Sequence, residues 1–147
     1  MDDQLAAANV NRAYSLAGTS IAIFTFMLFF LYPRFLNREI NALLFQATVV
    51  VMGLATFSFV FATLCYYGTS LGGRFDDARR ALDRRRGDRF WLLGYTLLFL
   101  GPSLILFTIG LLAVGSAWFA LWLLYLLFVL RRFPMIQTAK PSGGVTT

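Results

Sequence analysis

The 147-residue chain is 59% hydrophobic, has no histidine and a single cysteine, and carries 13 Lys and Arg against 7 Asp and Glu. That apolar share stands well above the roughly 45–50% of soluble domains, which excludes an ordinary soluble fold. The lack of His and of a second Cys excludes a disulfide framework, a His/Cys metal centre and a His general base. The net charge of +6 belongs to residues that flank apolar runs, so it points to a membrane surface and not to nucleic acid.

Residues 1–12, MDDQLAAANVNR, form a short polar lead, and from Ala13 to Tyr32 twenty residues follow without a charge. As a helix that run covers about 30 Å, the thickness of a hydrocarbon core. It ends in Leu31-Tyr32-Pro33-Arg34, with neither the basic lead nor the small-residue cleavage site of a signal peptide. The expectation is a retained first span over 13–33. Ala13, Ala17, Gly18 and Ala22 give it two small-xxx-small pairs for close helix approach.

The second span is expected over 40–67, about 42 Å if wholly helical. That is longer than the core, so the helix tilts or runs on beyond the membrane, with Gly68 and Gly72-Gly73 as stops. Cys65 reads as a small buried hydrophobe, and Tyr66 and Tyr67 as interfacial aromatics. Asn41, Thr48 and Ala55 lie seven apart, as do Thr56, Thr63 and Ser70. A seven-residue interval returns to nearly the same helix face, so one broad face carries hydroxyls from end to end, with Phe59 and Tyr66 on it. On the functional reading, Asn41, Thr48, Thr56, Phe59 and Thr63 line a water path at the centre of a homo-oligomer, with Phe59 as an apolar constriction. On the packing reading, the Thr hydroxyls bond back to their i−4 carbonyls and the face meets another helix.

The stretch from Arg74 to Arg89 holds seven of the thirteen basic residues and four of the seven acidic ones. Asp76 with Arg80, Arg79 with Asp83 and Arg84 with Asp88 fall at i, i+4 spacing, while Phe75, Ala78 and Leu82 share the opposite face. This predicts a short amphipathic helix on the cytoplasmic surface, ended by Gly87, whose Arg79, Arg80, Arg84, Arg85, Arg86 and Arg89 contact anionic lipid. Asp76-Asp77 invites comparison with Asp-rich cation motifs, but in DDARRALD arginines stand where further carboxylates would be needed.

Between Phe90 and Leu130 there are 41 residues with no charge, enough for two spans with a tight turn. A break between Gly110 and Ser116 gives spans over 90–110 and 114–131. A break at Gly101-Pro102-Ser103 gives a re-entrant half-helix and one long span. The first topology puts eleven basic residues on one side and two on the other, the second eight against five; the positive-inside rule selects the first. Pro102 cannot donate to the carbonyl of Leu98, so Gly101 and Pro102 mark a candidate hinge or a fixed bend. Positions 134–147, polar and bearing Pro and Gly, are expected to be a disordered tail.

The expected fold is an all-α integral membrane protein, a four-transmembrane-helix bundle over 1–133 with one short cytoplasmic amphipathic helix between spans 2 and 3. Both termini are expected in the cytoplasm, with the protein in the plasma (inner) membrane. No Asp, Glu, Lys, Arg or His falls in the interior of a span, which argues against a proton-coupled transporter, and no catalytic, cofactor or metal residue is assigned. The readings carried forward are a homo-oligomeric pore lined by span 2, an accessory or assembly subunit acting through helix packing, and, third, a coupled transporter or lipid-handling enzyme. Expected partners are an anionic bilayer and further copies of the chain.

Overall fold

The computed structural model describes residues 2–70 and 77–132, which form four helices: α1 (Asp2–Leu36), α2 (Ala42–Ser70), α3 (Asp77–Thr108) and α4 (Leu112–Arg132). Each contains a stretch that, by length and composition, is long and apolar enough to cross a bilayer. The tail from position 134 and the start of the Arg-rich stretch, positions 74–76, lie outside the described residues.

Local chemistry explains the helix ends. Pro33 does not stop α1, because a proline near a helix end sacrifices a single backbone bond. The chain turns at Arg38, whose φ of 57° places it in the left-handed region. There the amide of Arg38 donates to the carbonyl of Phe35 (3.1 Å) and that of Glu39 to Arg34 (2.9 Å), the paired bonds of a Schellman stop. Asn41 then caps α2, its Oδ1 accepting from the amides of Leu43 and Leu44 at 3.0 and 3.1 Å, two donors that a helix start leaves without intrahelical partners. The same stop ends α3, with Gly110 at φ 85° and bonds from Gly110 to Phe107 and from Leu111 to Leu106.

The turn at Gly110 makes α3 and α4 an antiparallel pair, and Gly101 and Pro102 lie inside continuous helix. The charged stretch differs from expectation. From Asp77 onward it is the first part of α3 and not a separate amphipathic helix, and Gly87 sits within the helix. A glycine ends a helix only where the chain enters the left-handed region; Gly87 keeps the helical path and is buried beneath the ring of Tyr66.

The four helices pack in chain order, α1 on α2, α2 on α3 and α3 on α4, and among the described residues no other pair of helices makes more than a marginal contact. Short connections favour such antiparallel neighbours. On α1, Ala13, Ala17, Ser20, Met27 and Leu31 are buried, a 4-3-7-4 spacing that follows one face. The Ser20 hydroxyl donates to Thr56 Oγ1 at 2.9 Å, since the proton of Thr56 is committed to the carbonyl of Met52. At one end of the row Met27, Leu31, Phe45 and Met52 form a buried cluster, with Leu98 and Ile105 of α3 packed against it.

Candidate functional site

The residues singled out on α2 meet α3 in a repeating contact. A Cβ added at Gly101 would lie 2.6 Å from Met52 Sδ, one at Gly94 2.9 Å from the ring of Phe59, and one at Gly87 3.0 Å from the ring of Tyr66. Met52, Phe59 and Tyr66 are seven apart on α2, and Gly87, Gly94 and Gly101 are seven apart on α3. Two antiparallel helices with matching seven-residue repeats keep the same faces together along their length. Each large side chain is seated where its partner lacks one, so the backbones approach closely.

Phe59 is wholly buried, with its ring edge-on to Tyr95 at a centroid distance of 5.6 Å. Thr48 is also wholly buried; its hydroxyl lies 2.7 Å from the carbonyl of Leu44 and 3.2 Å from the hydroxyl of Thr108. Thr56 and Thr63 are half-buried and bond back to Met52 and Phe59 at 3.0 and 2.9 Å. Asn41, at the start of the stripe, is the exposed cap of α2. Within one chain, then, four of the five candidate pore residues pack on neighbouring helices or on their own backbone, and the fifth closes a helix end. A hydroxyl one turn from a backbone carbonyl can satisfy itself without water, which is why the stripe has two readings in sequence.

Gly101 and Pro102 are fastened on both sides. Gly101 lies under Met52, and the hydroxyl of buried Ser103 donates to the carbonyl of Gly115 on α4 at 3.0 Å. The indole Nε1 of Trp122 donates to the carbonyl of Thr96 at 2.8 Å, and Phe107 covers Gly115. Ser103 and Thr96 are seven apart, as are Gly115 and Trp122, so the α3–α4 contact repeats the same interval.

At the charged end, Asp88 turns to α2: its carboxylate accepts from the Tyr66 hydroxyl at 2.6 Å, although the i, i+4 spacing suggests Arg84 as its partner. Asp83 also faces α2, with Oδ2 3.6 Å from where a side chain on Gly68 would begin. Arg79, Arg84, Arg85, Arg86 and Arg89 are exposed and Arg80 is half-buried. The glycine ladder was missed in the sequence because glycines in an apolar run carry no chemistry of their own. The signal that reveals it is the pairing of two seven-residue series, one of glycines and one of large side chains, on consecutive spans. Among the described residues no group of three His, Cys, Asp or Glu could hold a metal ion. The chain matches no protein-family model, no curated protein and no solved structure.

Proposed function

We propose that this is a small, non-enzymatic membrane protein that acts as an accessory or assembly subunit, through helix packing in the plane of the bilayer. The observation that carries this reading is that the polar face of α2 is spent on contacts inside the chain, whereas the outer helix α4 is nearly unused. Only 6% of the α4 span is buried, and Leu112, Leu121, Leu124, Leu127 and Phe128 are all more than half exposed. Helices in lipid associate by packing and by a few hydrogen bonds, so a row with two open flanks is suited to receiving neighbours, further copies of this chain among them. In this reading both termini and the Arg-rich end face the cytoplasm, the membrane is the plasma (inner) membrane, and the arginines lie against anionic headgroups.

A homo-oligomeric pore on the second span is the other reading, favoured by hydroxyls at Thr48, Thr56 and Thr63 along the length of α2. It requires α2 and α3 to part, because Phe59 and Thr48 reach no open space within one chain. Two measurements separate the readings. Light scattering on the protein purified in detergent gives the assembly mass, and ion leak from liposomes is compared between the wild type and Phe59→Ser. Assembly without leak in either protein is expected. A monodisperse monomer that binds nothing would overturn both readings, and a Phe59→Ser leak in an intact oligomer would establish the pore.

A further inference from the structure

We infer that the basic end of the α3–α4 pair is a binding site for the phosphate of an anionic phospholipid, built jointly by Arg85 and Arg89 of α3 and Arg131 of α4. The inference rests on the reading that this end faces an anionic leaflet, and it names the residues that hold the headgroup.

The register of the two helices brings the three arginines together. Ser103 meets Gly115, and Thr96 meets Trp122. One further repeat of seven sets Arg89 opposite Val129, which is buried and so continues the α4 side of the contact. Arg131 follows two residues later, about 3 Å along the axis, and Arg85 stands about 6 Å beyond Arg89. All three therefore fall within one headgroup layer, about 5–7 Å deep on each face of a bilayer, if the hydrocarbon boundary lies at Phe90, the first residue of the uncharged run. Arg79 is ten residues from Arg89, about 15 Å farther out, and stands clear of that layer.

Charge is also sorted around the helix. Arg85 and Arg89 stand two residues before and after Gly87, about 200° of rotation away from the glycine that Tyr66 covers. The two nearby carboxylates, Asp83 and Asp88, are on the α2 side, where Asp88 is held by Tyr66. Arg85, Arg89 and Arg131 are exposed, so their guanidiniums can reach an anion. A guanidinium offers paired N–H groups that fit two phosphate oxygens, and guanidiniums from two helices at one depth can hold one lipid between them.

The test uses the full chain in mild detergent, with native mass spectrometry reading retained phosphatidylglycerol against phosphatidylcholine. The wild type should retain phosphatidylglycerol at least tenfold better, and the triple variant Arg85→Gln, Arg89→Gln, Arg131→Gln should lose that preference. The double variant Arg79→Gln, Arg84→Gln, which removes two charges outside the site, should keep it. Thermal unfolding in phosphatidylcholine alone checks that the triple variant is folded. Should it not be, Arg89→Gln alone is compared with Arg89→Lys, which keeps the charge but not the fork, and only the Gln variant should lose more than half of the preference. A triple variant that still prefers phosphatidylglycerol, or a double variant that loses as much, overturns the site and leaves the anionic-leaflet reading standing. A wild type without preference removes both.

Discussion

Gly94 shows how much of this fold depends on a side chain that is absent. A methyl group there would lie 2.9 Å from the Phe59 ring, which is wholly buried and has Tyr95 at its edge, so neither side can give way cheaply. Gly94→Ala should destabilise the protein by about 1–3 kcal/mol, the usual cost of overpacking, although alanine is the better helix former by about 1 kcal/mol. Gly18 is the control, with nothing within 4 Å of an added Cβ, and Gly18→Ala should be neutral or slightly stabilising. Thermal unfolding in detergent reads both. Equal effects at the two positions would mean that the seam is looser than the contact distances require. Gly101→Ala should fall between them, because the atom in its way belongs to Met52, a side chain that can rotate aside.

On the scale of the helix, apolar length and charge made four helices and the turn at Gly110 legible, because a run of 41 uncharged residues exceeds one bilayer crossing and only a glycine enters the left-handed region freely. The charged helix before Phe90 was misread. Gly87 looked like a stop, but a tyrosine seven residues after Phe59 needed a flat place to lie, and that requirement appears only when two helices are considered together. The two turns also differ in how well their residues suit them. Gly110 fits its left-handed position; Arg38, at φ 57°, carries a Cβ that costs about 1 kcal/mol or more there. Arg38→Gly should therefore raise stability by roughly 0.5–1 kcal/mol, while Gly110→Ala should lower it by a similar amount. Chemical denaturation of the purified protein measures both, and a loss of stability in Arg38→Gly would indicate that the arginine head group outweighs the strain of its backbone.

For the whole molecule, two helical hairpins fix which ends lie together. The Asn37–Asn41 connection makes α1 and α2 antiparallel, and Gly110 does the same for α3 and α4. Tyr66 on Gly87 aligns the end of α2 with the charged part of α3, and Ala13 and Val10 of α1 pack at that same level beside Phe90 and Trp91. Arg12, the α3 arginines and Arg131 consequently share one end, and Arg34 and Arg38 the other. Such an imbalance orients a chain with its basic end in the cytoplasm. Single cysteines introduced after Cys65→Ser test this with a membrane-impermeant maleimide on intact cells. Leu36→Cys, exposed beside the α1–α2 turn, should react from outside, whereas Leu82→Cys and Gly143→Cys should react only after permeabilisation. Reaction of all three from outside would invalidate the crossing pattern. The reverse pattern, with Leu82 and Gly143 outside and Leu36 protected, would keep the four crossings and invert the protein, moving its arginines to the opposite leaflet.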